Sequence, residues 1–351
     1  MSFFKPEFRH PNQVVNELGF TKKDYEGAIS TLCAGCGHDS ISAAIVQVCF
    51  ELAIPPHAVA KLSGIGCSSK TPTYFLGKSH GFNSVHGRMP SVATGANMAN
   101  RDMIFIGVSG DGDSASIGMG QFCHAVRRNL DMMYIVENNG CYGLTKGQDS
   151  ATTERGSHSK KGQPSPFESI DLASLALQLG ATFVARSFSG DKEQLIPLMK
   201  AAITHSGFAF IDVISPCVTF NNNPGSHKGY EYVRDHLAAT GTIDFVPMKQ
   251  EINTAYAPGS SQEVTLHDGS VLHLYKTDDK LDIHNRQSAL NRIQDCHSEG
   301  KILTGLLYVD ANSNDLHKRI DTNTSKPLRK LNEAELCPGN MVLQNINKSL
   351  Q

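Results

Sequence analysis

The sequence lacks a dominant charge: 32 basic and 34 acidic residues among 351 leave a net charge of -2. That balance argues against a nucleic-acid binder with a broad basic field, and no basic tail is present to meet an anionic membrane surface. No apolar run reaches the roughly 18 residues of a membrane-spanning helix. The opening stretch, MSFFKPEFRHPNQ, has no apolar core of signal-peptide length, and the expectation is a cytoplasmic protein. There is no internal repeat and no low-complexity tract. Nine cysteines in such a compartment are not expected to form structural disulfides.

What is present is α/β rhythm. The length allows one large α/β domain with an appendage, or two domains. The most informative stretch is 103–147. The apolar run Met103 to Val108 predicts a buried parallel strand, broken by Ser109-Gly110-Asp111-Gly112-Asp113. A small-residue helix is predicted through about Arg128. A second strand, Met132 to Val136, runs into Glu137-Asn138-Asn139-Gly140. In open α/β sheets, ligands bind at the carboxyl ends of strands. Gly110 and Gly112 let backbone amides approach a phosphate at a helix start. Asp111 and Asn139 offer hard oxygens on neighbouring strand ends, which suits Mg²⁺ completed by substrate phosphates. The bland reading, a solvated turn followed by an ordinary Asn-Gly turn, fits GDG alone better than GDGD followed by NNGCYG across a helix-length gap.

The cysteines divide by setting. Cys49 and Cys123 fall in helical apolar patterns and read as core thiols; Cys296 and Cys337 have no partner at a recognisable spacing. Cys33 and Cys36 form a C-x2-C before a helix carrying Ile41, Ile45, Val46, Cys49 and Phe50. That motif is open among zinc, iron–sulfur and a redox disulfide. Zinc wants a second C-x2-C or paired histidines, and none follows at a recognisable spacing, although fifteen histidines keep the option alive. His38 reads first as a helix-start side chain. Cys67 follows a short strand, Ala58 to Leu62, and Cys217 follows another, Phe208 to Ile214. Cysteines 33, 36, 67 and 217 thus all sit at turns; spacing alone leaves one shared cluster and unpaired thiols equally open.

Lys70, just beyond Cys67, is either solvated or a contact for a substrate anion. His86, in His86-Gly87-Arg88 before a small-residue helix, is an even choice between an anion site and an ordinary histidine. Residues 141–165 form a long polar, glycine-rich loop of the kind that is functional or mobile, with Lys160-Lys161 read as a solvated tip. Helices are predicted over Phe167–Leu179, Lys192–His205 and about Arg286–Ser298, strands over Ala181–Ser187 and Ile302–Val309, and a hairpin over 263–275 around Asp268-Gly269.

GDG, then a helix-length gap, then NN resembles the thiamine diphosphate–Mg²⁺ motif of thiamine-dependent enzymes. CAGCGH, GIGCSSK, HGR, GDGD, NNGCYGLTKGQ and SPCVTFN together resemble, in order over roughly residues 30–230, the beta subunit of 2-oxoacid:ferredoxin oxidoreductases. The C-terminal third fits less specifically. The resemblance implies a thiamine diphosphate-binding fold, a mostly parallel sheet with helices on both faces, and a smaller C-terminal α+β extension. The expected division is an N-terminal segment (1–30), a cofactor domain with the cluster (31–220), an extension with the hairpin (221–310) and a polar tail (311–351). It further implies Mg²⁺ on Asp111, Asn139 and the carbonyl of Cys141. Cys33, Cys36, Cys67 and Cys217 would hold one [4Fe-4S] cluster. Ile65, Gly66, Cys67, Ser68, His86, Gly112, Asp113, Gly143 and Leu144 would contact thiamine diphosphate, and Lys70 and Leu144 would face the 2-oxoacid.

The reaction so implied converts a 2-oxoacid, CoA and two oxidised ferredoxins to acyl-CoA, CO₂ and two reduced ferredoxins. The organic chemistry belongs to the cofactor. No second α/β domain able to bind the aminopyrimidine ring is found, so an alpha subunit should provide it, in an (alpha-beta)2 assembly inactive without that partner. Lys70 favours 2-oxoglutarate, the substrate of a 2-oxoglutarate synthase; pyruvate or a branched-chain 2-oxoacid is the alternative. A non-oxidative thiamine-dependent decarboxylase or synthase would need no iron, and a cysteine-based metal or redox sensor would need no thiamine diphosphate.

Overall fold

The apolar runs become strands of one sheet. The computed structural model describes residues 13–240, 261–265, 271–275, 281–322, 326–337 and 339–350. Strands β1 (Val59–Ser63), β2 (His80–Asn83), β3 (Ile104–Gly110) and β4 (Met132–Asn138) lead into a short antiparallel pair, β5 (Cys141–Tyr142) and β6 (Gln148–Asp149). Then come β7 (Phe183–Phe188), β8 (Phe208–Ile214), β9 (Leu237–Ala239), the hairpin β10 (Ser261–Thr265) and β11 (Val271–Tyr275), and β12 (Ile302–Val309). The main sheet has 8 strands in the order β2-β1-β3-β4-β8-β7-β12-β9. Its pairings from β2 through β7 are parallel; β12 runs antiparallel to β7 and parallel to β9.

Among the described residues eleven α-helices accompany these strands: α1 (Gly37–Glu51), α2 (Thr71–Tyr74), α3 (Met89–Ala99), α4 (Met119–Arg128), α5 (Leu172–Gln178), α6 (Lys192–Thr204), α7 (Tyr230–His236), α8 (Arg286–Ser298), α9 (Leu316–Arg319), α10 (Glu333–Leu336) and α11 (Gly339–Ser349). Successive strand residues point to opposite faces, and the core divides accordingly. Met132, Tyr134 and Val136 of β4 pack with Phe122 of α4, Ala176 of α5 and Ile293 of α8. Met133 and Ile135 pack on the other face with Ile41 and Ile45 of α1 and Leu198 of α6. Strands buried on both faces are what continuous apolar runs predict.

Some elements differ from the sequence expectation. The small-residue helix is two pieces: a π-helical turn over Gly112–Ile117, then α4. The Gly118 N–H bonds to the Asp113 carbonyl at 2.8 Å and closes the wider turn. The helix expected over Phe167–Leu179 starts only at Leu172, because the Asp171 carboxylate accepts from Ser174 N–H at 2.8 Å and caps it there. Strand β2, α7 and β9 were not expected, and β9 and β12 extend the main sheet. The expected tail carries α9, α10 and α11. Residues 1–12, residues 241–260 and the Asp268-Gly269 pair, where the hairpin turn is expected, lie outside the described residues. No helix of the described residues is long and apolar enough to cross a membrane.

Sheet order places the site. The chain moves from β1 outward to β2, then back past β1 to β3. This reversal opens a crevice at the carboxyl ends of β1 and β3, where ligands bind in such sheets.

Candidate functional site at the carboxyl ends of the central strands

Four turns meet on this edge: Gly64 to Lys70 after β1, Asp111 to Ile117 after β3, Asn139 to Gly143 after β4, and Ser215 to Asn221 after β8. The first two touch closely. A Cβ at Gly64 would overlap the Asp113 carboxylate, so only glycine fits there. Asp113 Oδ2 accepts from Ser109 Oγ at 2.7 Å, and Oδ1 accepts from the Gly87 N–H at 2.7 Å. His86 Nδ1 rests against the same Oδ1. Asp113 therefore ties the His86-Gly87 turn to β3.

Asp111 is buried. Its Oδ2 receives the hydroxyls of Ser150 and of Thr152, the latter at 2.8 Å, and its Oδ1 receives the Asn139 N–H at 3.3 Å. Burial raises its carboxyl above the ordinary range, while the hydroxyls and the amide pull it back. Asn139 Oδ1 accepts from Cys141 N–H at 3.1 Å, and its carbonyl accepts from Asn221 Nδ2 at 2.8 Å. The Tyr142 ring covers Gly112 so closely that any side chain there would collide with it.

The same ribbon reaches the cysteines. A Cβ at Gly143 would lie 3.4 Å from Cys217 Sγ and 3.6 Å from Cys67 Sγ. Cys67 lies within electrostatic reach of Cys217 and Cys33, and Cys36 within reach of Cys217. Cys33 and Cys36 close a turn, with Cys36 N–H on Cys33 O at 3.0 Å, at the start of α1. The structure thus gathers all four expected cysteines. Burial pushes the Cys36 thiol up to about 12 and raises Cys67. Cys217 is held down to about 6 by the hydrogen bond from Cys141, whose own thiol is raised strongly. Among the described residues, no three His, Cys, Asp or Glu side chains converge as ligands of a single metal ion.

Lys70 ends a short turn begun by Ser68; its N–H bonds to the Cys67 carbonyl at 3.1 Å, and its ammonium is close enough to pull on the Cys67 thiol. Gly66 sits at φ +121° and turns the chain between Ile65 and Cys67. Leu144 is exposed just beyond Gly143.

Several residues here carried no recognisable signal in the sequence. Ser150 and Thr152 come from the polar loop, whose length flagged it as a whole. Glu137, near the end of β4, lies fully buried within electrostatic reach of Cys36 and Cys67. Its Oε2 accepts from Thr71 Oγ1 at 2.8 Å, His38 Nδ1 is 3.6 Å away, and Oε1 has no partner. Burial raises Glu137 well above the usual carboxylate range and holds His38 down to about 4. His38 Nδ1 lies 2.6 Å from Ser215 Oγ. The Cys141 side chain, beyond its backbone carbonyl, hydrogen-bonds with Cys217. A cavity of about 480 Å³ lies behind Thr152, against Arg186, Asp212 and α8, but it borders neither Asp111 nor the cysteines.

Residues 64–213 match the family described as "Thiamine pyrophosphate enzyme, C-terminal TPP binding domain". A 2-oxoacid:ferredoxin oxidoreductase subunit beta from Sulfolobus is 44% identical over 191 residues, 54% of this chain and 63% of that protein. The match therefore spans less than two thirds of that relative's length. The 2-oxoglutarate synthase subunit KorB of Methanocaldococcus jannaschii is 41% identical over 192 residues, covering 54% of this chain and 69% of that subunit. The solved 2-oxoglutarate:ferredoxin oxidoreductase of Magnetococcus marinus, with 2-oxoglutarate, coenzyme A and succinyl-CoA bound, superposes with a TM-score of 0.69 at 28% identity, covering 88% of this chain and 93% of that one.

Proposed function

The chain belongs to the family of 2-oxoacid:ferredoxin oxidoreductase beta subunits, and from that membership we propose that it supplies the diphosphate, metal and cluster half of an active site. The reaction is CoA-dependent oxidative decarboxylation of a 2-oxoacid, with 2-oxoglutarate preferred and ferredoxin as electron acceptor. The observation that carries this reading is the short Asn139–Gly143 ribbon, with Asp111 at one end and the cysteines at the other.

The residues fit the groups they would hold. A buried carboxylate is costly unless a cation offsets it, and no ion pair among the described residues supplies one to Asp111. Mg²⁺ on Asp111, Asn139 and the Cys141 carbonyl would do so with few protein oxygens, leaving room for the diphosphate. Glycine at 112, where the Tyr142 ring leaves no room for a Cβ, would let the backbone come close to a phosphate. Four iron atoms take one thiolate each, so Cys33, Cys36, Cys67 and Cys217 need to surround a volume, not meet at a point.

When bound, thiamine diphosphate supplies the electron sink for decarboxylation, and the cluster accepts electrons singly. The chain's own groups orient and enclose. Ile65 to Ser68, His86, Gly112, Asp113, Gly143 and Leu144 would line the cofactor, and Lys70 would offer a cation to a distal substrate carboxylate. Val85, Ile117 and Leu144 stand exposed beside these residues. An alpha subunit covering them, in an (alpha-beta)2 cytoplasmic assembly, would complete the pocket and exclude water.

The test is anaerobic purification with the partner subunit and a substrate panel using a viologen acceptor. Asp111→Ala should abolish thiamine diphosphate retention and keep the visible absorbance of the cluster. Retained cofactor would overturn the metal assignment, and an iron-free active protein would favour a non-oxidative thiamine enzyme. Relatives named for 2-oxoacids in general keep pyruvate or a branched-chain 2-oxoacid as the second reading.

A further inference from the structure

Asp111 is held asymmetrically. Two hydroxyls, from Ser150 and Thr152, point at Oδ2, whereas Oδ1 takes the long 3.3 Å contact from the Asn139 amide, with the Asp111 backbone amide also acting on the carboxylate. Each carboxylate oxygen has two lone-pair sites. Oδ2 therefore faces the short hydroxyl contacts, and Oδ1 is the less tightly held oxygen.

The two hydroxyls are themselves fixed. The Ser150 N–H bonds to Thr153 Oγ1 at 2.9 Å, and Thr153 Oγ1 donates to the Gly140 carbonyl at 2.6 Å. Thr152 Oγ1 also lies 3.0 Å from Asn138 Oδ1, and Asn138 Nδ2 donates to Asp212 Oδ1 at 3.0 Å. Asp212 is in turn bound by Arg186 Nε at 2.9 Å. Lys228 clamps the next loop residue, Glu154, at 2.7 Å. The loop after β6 is thus pinned to the sheet behind Asp111.

Resting on the metal assignment made above, we propose that Ser150 and Thr152 are positioning residues for the divalent cation. By occupying Oδ2 they fix the rotation of the Asp111 carboxylate and present Oδ1 as its monodentate ligand. The orientation of metal ligands by surrounding donors sets affinity strongly, and its loss typically costs about 10–100-fold.

The experiment uses the full chain assembled with its partner subunit, stripped of metal and titrated with Mn²⁺ in the presence of thiamine diphosphate, with free Mn²⁺ read by electron paramagnetic resonance. Thr152→Val should weaken Mn²⁺ binding about 10-fold or more, while Thr152→Ser should stay within about twofold of the parent. Ser150→Ala, which leaves the fold's packing almost untouched, should weaken binding several-fold, and it decides the question should the valine variant not fold. Ser150→Ala and Thr152→Val both binding like the parent would overturn the proposal. So would a serine variant as weak as the valine one, since the methyl group and not the hydroxyl would then matter. Asp111→Asn separates the two levels. If it binds Mn²⁺ like the parent, the metal assignment itself fails. If it loses the metal while the hydroxyl variants do not, only the positioning role fails.

Discussion

Lys70 shows how little backbone separates a proposed cluster ligand, Cys67, from a proposed substrate contact. One turn carries the chain from Cys67 to Lys70, closed by the 3.1 Å bond between their backbones. A charge-assisted contact from this ammonium to a distal carboxylate contributes about 1.5–3 kcal/mol. Lys70→Ala in the assembled enzyme should therefore lower kcat/KM for 2-oxoglutarate by about 10-fold or more, with a smaller loss for pyruvate. Steady-state kinetics with both substrates checks this, and equal losses would remove Lys70 from substrate choice. Lys70 was legible because it sits beside a motif cysteine. Asp111 and Asn139 were legible because glycine and asparagine turns at strand ends announce themselves in order. Ser150 and Thr152 were not, since a hydroxyl in a polar loop looks alike whether it faces water or a buried carboxylate. Glu137 was hidden for a related reason: a charged residue next to an Asn-Asn turn reads as solvated, and only the packing of α1 and Thr71 over it shows otherwise.

At the scale of elements, α4 anchors the turn after β3 that is proposed to face the diphosphate. Phe122 is fully buried and meets Tyr134, Phe208 and Phe210 edge-on, with ring centroids 5.6, 6.1 and 5.2 Å apart. Removing a buried phenyl ring typically costs about 3–5 kcal/mol. Phe122→Ala should lower stability by that amount in urea titration and weaken thiamine diphosphate binding as well, because α4 continues from the turn that follows Asp111. The central strands, α1, α6 and α8 were readable from apolar period and length. The π-helical turn was not, because its wider closure depends on Gly118 and on the contact between Gly118 and Gly87, which are distant in sequence. Edge strand β2, four exposed residues without an apolar pattern, also left no trace for period counting.

At the scale of the molecule, the histidines buried in the fold give a pH signature. His205, against Phe183 and Thr182, is held down to about 4 by burial. The unfolded chain takes up this proton near 6.5, whereas the folded chain does so only near 4. Its contribution is therefore complete above pH 6.5 and is lost as pH falls from 6.5 through 4. His205→Gln should narrow the gap between the urea midpoints at pH 7 and pH 5 relative to the parent; an unchanged gap would show that His205 does not titrate in this way. The sheet's switch point followed from strand order, which no local pattern encodes, although the alternation of strands and helices announced the class. The Asn139–Gly143 ribbon carries a further consequence. Four residue steps of fully extended chain reach no more than about 14 Å. With the proposed metal ligands at one end and the cysteines at the other, the ribbon sets a covalent ceiling on how far these two sets of protein groups can separate, whatever the partner subunit does.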